Sequence, residues 1–196
     1  MTALPARAFR LLLAFALLAA AGARADAPAD HVLSLVSPAS TMRYHIVHKL
    51  HTVEATSTDL DGKAMFKADG TVQVMVRAKV SGFRSGDTNR DEHMMEVMEA
   101  ASFPTVTFKG LAKIPPPASY PAKADIAVAG ELELHGKKFP ETINVHVDMT
   151  SATAWHVTGT FNVSLDKYSI ERPALLLVKI SDACEMALDL TLAGAK

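Results

Sequence analysis

The chain has 196 residues, 49% hydrophobic and 21% charged, a globular balance for one domain that excludes disordered and fibrous classes. Lys and Arg number 20 against 21 Asp and Glu, a formal charge of −1, so no broad basic surface for nucleic acid is expected. The one cysteine excludes an internal disulfide and any multi-cysteine metal or haem-attachment motif.

Arg7 and Arg10 precede an apolar run, Leu11 to Ala21, and Ala23-Arg24-Ala25 follows it. A basic start, a short apolar stretch and a small-x-small exit predict a secretory signal peptide over residues 1–25, leaving 26–196 as the mature domain. The run rises only about 16 Å as a helix, roughly half a bilayer core, so it does not read as a membrane span. No cysteine stands at the cleavage site and no later segment is long and apolar enough to cross a bilayer, so no stable membrane anchor is expected. Cleavage would remove Arg7, Arg10 and Arg24 and no acid, leaving 17 basic and 21 acidic residues and a formal charge of −4.

The rest reads as strands, because apolar and polar residues alternate with a period of two. Residues 42–49 carry Met42, Tyr44 and Ile46 on one parity. Residues 62–68 lead through Asp69-Gly70, a two-residue hairpin turn, into 72–80, where Val72, Val74, Val76, Ala78 and Val80 alternate with Gln73, Met75, Arg77 and Lys79. Residues 91–101 are the one helical candidate, with Met94, Val97, Met98 and Ala101 on a stripe and Pro104 as a stop. Strands are expected at 105–110, 126–134, 143–149, 157–165 and 184–190. Pro115-Pro116-Pro117 marks a loop, and Gly136-Lys137-Lys138 a hairpin turn.

That makes about eight antiparallel strands with one apolar face each, which close as a sandwich or a barrel. An eight-stranded barrel is wide enough to hold one small ligand. Strands of eight to ten residues, roughly 26–33 Å, suit an elongated guest.

Three stretches resemble a known family. Ser85-Gly86-Asp87-Thr88-Asn89-Arg90-Asp91-Glu92-His93-Met94 leads through a helix to Ser102-Phe103-Pro104-Thr105. Leu132-Glu133-Leu134-His135-Gly136 resembles a strand-closing His-Gly turn, and Met42-Arg43-Tyr44-His45-Ile46-Val47-His48 an alternating strand that ends in His. Their order and spacing, over about residues 41–192, are similar to the YceI-like family, and the chain reads as a divergent member. It departs from the family pattern before the first strand, at Ser37-Pro38-Ala39-Ser40-Thr41, and again at residues 164–170. The resemblance implies an all-β, extended antiparallel eight-stranded lipocalin-like barrel with a short helix at its mouth. It also implies a periplasmic location and a long isoprenoid lipid, polyprenol or quinone type, held non-covalently in the lumen, with no catalytic residues.

Inward parity then names the residues expected to line the lumen: Val74, Val76, Phe83, Phe108, Val128, Leu132, Val145, Phe161, Val163 and Leu188, with Met94 and Met98 closing one end. Methionine adapts to a flexible chain. The same alternation would arise from a filled core, and the alternative function is then an exported interaction or stress-response module without a lipid. Asp91 is read as capping the helix, with Arg90 fixing the preceding loop. Cys184 shares the parity of Met186 and Leu188 and is expected inside the wall. His45, His48 and His51 read as solvated or turn residues, since strand geometry turns His48 away from the other two. No metal, covalent cofactor or nucleic-acid partner is expected. The oligomeric state is left open, a homodimer included.

Overall fold

A computed structural model describes residues 30–49, 52–175 and 178–194. The expected signal peptide at 1–25 and His51 lie outside the described residues. The strands are β1 (His31–Leu35), β2 (Thr41–Val47), β3 (Thr52–Ser57), β4 (Leu60–Phe66), β5 (Thr71–Lys79), β6 (Thr105–Lys113), β7 (Ala122–Leu134), β8 (Lys137–Ser151), β9 (Ala154–Ser164), β10 (Ala174–Leu175), β11 (Val178–Lys179) and β12 (Ala183–Gly194). One helix, α1 (Thr88–Val97), joins β5 to β6 after a single 3-10 turn at Val80–Gly82.

β1 and β2 are two pieces of one barrel strand. β1 pairs with the end of β12, Leu33 opposite Gly194, and β2 pairs with its start, Ile46 opposite Cys184. β3 and β4 likewise form one broken strand, β2 pairing with β3 and β1 with β4. The order then runs β4-β5-β6-β7-β8-β9-β12, and the β1–β12 pairing closes it. The result is a closed eight-stranded antiparallel barrel with one short helix. Closure leaves no long edge to template aggregation. β10 and β11 form a separate two-stranded hairpin.

Sequence periodicity misses β1 and β3. Each has only five or six residues, too few for alternation to stand out, and each is cut from its continuation by a short break. The helix also shifts from the expected 91–101. It begins at Thr88 because Asp87, not Asp91, is the cap: its side chain accepts from the Arg90 backbone N–H at 3.1 Å. It ends at Val97 because Glu99 takes a left-handed backbone, φ 45°. The β7–β8 turn sits at His135-Gly136, whose φ values of 51° and 69° fit a two-residue hairpin that needs positive φ at both positions. Lys137 and Lys138 therefore belong to β8.

The interior divides into two halves. At the end away from α1, Leu33, Phe66, Val72, Ile126, Val147, Met149, Trp155, Leu190 and Leu192 are all buried in one cluster. Phe66 meets Trp155 edge to face at 4.7 Å between ring centroids, and the Trp155 indole N–H donates to the Ser151 carbonyl at 3.1 Å. At the α1 end the same cluster opens into a cavity.

Candidate functional site

The cavity has a volume of about 420 Å³, within the roughly 300–1,000 Å³ of small-molecule sites. Its walls come from β2, β5, β6, β7, β8, β9 and β12, and α1 lies across it with Met94, Val97 and Met98 facing in. Arg90, His93 and Glu171 also line it and are exposed, so the cavity reaches the surface between α1 and the segment after β9. Glu92 and Glu96 of the helix are exposed, which leaves α1 one apolar stripe for the cavity and a wet face outside.

Of the residues expected in the lumen, Val76, Phe83, Met94, Met98, Phe108, Leu132, Phe161, Val163 and Leu188 line this cavity. Val74, Val128 and Val145 do not, and the expectation for them is corrected. Each points inward, but each lies along its strand toward the packed end, beyond a residue that does line the space: Val76, Leu132 and Ile143. Parity reports the face of a strand and is silent on depth. Parity holds for further neighbours not named among the expected lumen residues. Met42, Tyr44 and Ile46 on β2, and Cys184 and Met186 on β12, line the cavity in the same alternation that marked the others.

The floor of the cavity has a structural cause in two glycines. A Cβ on Gly110 would lie 2.8 Å from the Phe108 ring and 2.8 Å from Val128 Cγ1, and one on Gly130 would lie 2.7 Å from the Phe108 ring. Gly110 and Gly130 face each other across β6 and β7. Their bare backbone is the shelf on which Phe108 lies flat, and a side chain at either would push the ring into the lumen.

Electrically the walls are quiet. Burial pushes the Tyr44 hydroxyl and the Cys184 thiol each up to about 12, so both stay neutral across the physiological range. A thiol held protonated is a poor nucleophile and a poor metal ligand. Cys184 Sγ sits 3.9 Å from Met186 Sδ and behaves as wall. His48 is buried, with its Nε2 at 2.9 Å from the Val178 carbonyl oxygen, tying β2 to the β10–β11 hairpin. His45 lies with Nδ1 at 2.8 Å from Glu54 Oε1. Among the described residues no cluster of three or more His, Cys, Asp or Glu side chains could hold a metal.

The lid is fastened at both ends. Asp91 is buried, and its Oδ1 accepts from the Ser85 backbone N–H at 2.9 Å and the Ser85 hydroxyl at 2.6 Å. Its role is to pin the loop before α1, while Arg90 Nη2 lies 3.6 Å from Asp87 Oδ2. At the other end His135 lies between Tyr168, whose carbonyl oxygen is 3.1 Å from Nδ1, and Glu99, whose Oε1 is 3.3 Å from Nε2. The Phe103 ring packs edge-on against His135 at 5.0 Å. The two quoted motifs, Ser102-Phe103-Pro104 and Leu134-His135-Gly136, thus meet behind the lid.

The Ser85 hydrogen bonds hold the Asp91 carboxyl below the usual carboxylate range. A depressed pKa stabilises the fold fully above the unfolded value, about 3.9, and the contribution fades as pH falls through the folded value. Asp91→Ala is expected to cost about 1–2 kcal/mol at neutral pH, a gap from wild type that closes below about pH 4. Thermal unfolding of both proteins across pH checks this. A gap that stays constant down to pH 2 would assign the cost to something other than the carboxylate.

A family model described as YceI-like domain matches residues 34–192. No curated protein matches. Among solved structures, a polyisoprenoid binding domain from Saccharophagus degradans implicated in plant cell wall breakdown superposes with a TM-score of 0.68 at 20% identity, covering 83% of this chain and 98% of its own. BcnA of Burkholderia cenocepacia gives 0.62 at 16% identity, covering 78% and 95%. A YCEI protein of Campylobacter jejuni gives 0.57 at 13%, covering 76% and 89%. The barrel is the fold these structures share, and with the family model matching residues 34–192, the chain belongs to the YceI-like family.

Proposed function

We propose that the protein binds an isoprenoid lipid, polyprenol or quinone type, by burying its tail in the cavity under α1, and that it acts as a carrier in the periplasm after export by residues 1–25. The observation that carries this reading is the cavity itself: about 420 Å³ of apolar space with neutral walls, open at one end beside Arg90, His93 and Glu171. A prenyl chain asks for apolar contact and few directional bonds. Each buried unit of five carbons yields about 4 kcal/mol gross, at about 0.8 kcal/mol per methylene-sized group, before the entropy of ordering is subtracted. The polar groups gather at the rim, where a head group would meet water. Membership of the YceI-like family and the likeness to a polyisoprenoid binding domain support the same ligand class. The protein works by burial and does no chemistry on its guest.

Mass spectrometry of an organic extract of the folded protein, prepared from an exported form, tests the proposal. An isoprenoid released in near-stoichiometric amount, from a protein that begins at Asp26, is the expected result. An extract without lipid, together with no uptake of added prenol or quinone, would overturn it.

A further inference from the structure

Behind the lid, one buried side-chain nitrogen has no hydrogen-bond partner: His135 Nε2. The cavity opens between α1 and the segment after β9, and His135 touches both sides of that opening. Its Nδ1 lies 3.1 Å from the Tyr168 carbonyl oxygen, in the segment after β9. Its Nε2 lies 3.3 Å from Oε1 of Glu99, just beyond the end of α1. The His135 side chain is only 8% exposed, so its ring must find its partners within the protein.

The two partners fix where the protons sit. A carbonyl oxygen only accepts, so Nδ1 carries a hydrogen, and Nε2 carries one only when the ring is charged. In the neutral ring the Nε2 lone pair faces a carboxylate oxygen, two acceptors with no proton between them. In the charged ring Nε2 donates to Glu99 in a charge-assisted bond. One proton decides whether the two sides of the opening are joined.

We propose that His135 is a proton-operated clasp on the lid. Charged, it ties the end of α1 to the segment after β9 and holds the guest in. Neutral, it releases Glu99 and lets the guest exchange. The control of a guest rests on the carrier reading above, whereas the clasp itself rests on geometry alone. Its two sides are unequal. Tyr168 is fully buried and packs its ring edge-on against Phe139, so that side is fixed. Glu99 is 59% exposed and has a left-handed backbone, so the α1 side is the one that moves. Among the described residues Glu99 is the one ion-pair partner of His135, and the Phe103 ring at its edge carries no charge. The other charges on the surrounding elements are engaged elsewhere. On α1, Glu96 lies 3.5 Å from His93. On β7 and β8, Glu133 lies 3.4 Å from Lys138, and Lys137 donates to the Ser169 hydroxyl. After β9, Lys167 donates to Glu141 and Arg172 to Asp166.

Hydrogen exchange at the backbone N–H groups of Met98, Ala100 and Phe103, which donate to the carbonyls of Met94, Met95 and Glu99, reads the lid without a guest. It is measured at about pH 5.5 and about pH 8, on either side of an ordinary imidazole, and corrected for the intrinsic pH dependence of exchange. Opening is expected to rise about three- to tenfold at the higher pH, the loss of a charge-assisted bond discounted for the exposure of Glu99. Transfer of a fluorescent farnesyl probe from the protein to phosphatidylcholine vesicles should quicken by a similar factor. His135→Asn removes the ring and leaves an Asn-Gly pair, which suits a turn with positive φ at both positions, so the barrel keeps its fold. Both rates should then be fast at both pH values. In Glu99→Gln the amide offers a donor and an acceptor, serves the neutral and the charged ring alike, and should keep both rates slow at both pH values. Wild-type opening that ignores pH would overturn the proposal. So would a pH dependence that survives His135→Asn, which would belong to His93 or His48, or one that survives Glu99→Gln. Amide exchange that follows the clasp while probe transfer does not would overturn its control of the guest. A probe that never binds would overturn the carrier reading, and the exchange data would still decide the clasp.

Discussion

Trp155→Ala is expected to destabilise the protein by about 3–5 kcal/mol, while uptake of a farnesyl chain stays within about threefold of wild type, because the two sites share no partner. Trp155 is buried, stacks its edge on Phe66 at 4.7 Å and donates its indole N–H to the Ser151 carbonyl. Truncation removes a large apolar contact and leaves a void among Leu33, Met149 and Leu192 that a closed barrel cannot collapse around. At roughly 2–4 °C per kcal/mol for a domain of this size, the unfolding midpoint should fall by about 10 °C. A fall of less than about 3 °C would mean that this end of the barrel is not the packed one.

Val163→Trp is expected to do the reverse. Val163 lies on β9 opposite Cys184 and lines the cavity. An indole there grows into empty space, so the usual overpacking cost of about 1–3 kcal/mol does not arise, and stability should hold or rise slightly. The added ring takes the room of about one prenyl unit. Losing five carbons of burial, about 4 kcal/mol gross, offset in part by the ordering entropy no longer spent, weakens binding by at least about tenfold. Calorimetric titration with farnesol, beside thermal unfolding, measures both effects. Unchanged affinity would place the ligand elsewhere. The two substitutions together separate the half of the barrel that holds the fold from the half that holds the guest.

The difference between those halves is what alternation cannot express. Val72 and Val76 share a strand and a parity, yet the first is packed core and the second is cavity wall. Which one a residue becomes depends on what faces it across the barrel, and on local devices such as the Phe108 ring lying over Gly110 and Gly130. The faces themselves were legible: Val76, Leu132, Val163 and Leu188 were placed by their neighbours in the sequence alone. The resemblance carried the closure into a barrel, since a sandwich would show the same pattern. The broken strands were not legible, because β1 and β3 gain their order from pairing with β4, β12 and β2, contacts distant in the chain. The helix start was misplaced because Asp87 and Asp91 both fit a cap, and only the structure shows that Asp91 instead reaches back to Ser85.

The methionines provide the most direct measurement of the central claim, that an apolar guest occupies the α1 half and no other part. Met42, Met94, Met98 and Met186 line the cavity, Met149 is buried in the packed half, and Met65 and Met75 line a separate, more open hollow along β4, β5, β6 and β7. With the methionine methyls labelled with carbon-13, addition of farnesol should shift the methyl resonances of Met42, Met94, Met98 and Met186 in a saturable one-to-one manner, leaving those of Met65, Met75 and Met149 where they are. Shifts centred on Met65 and Met75, or a saturable response that spares the four cavity methyls, would contradict the account.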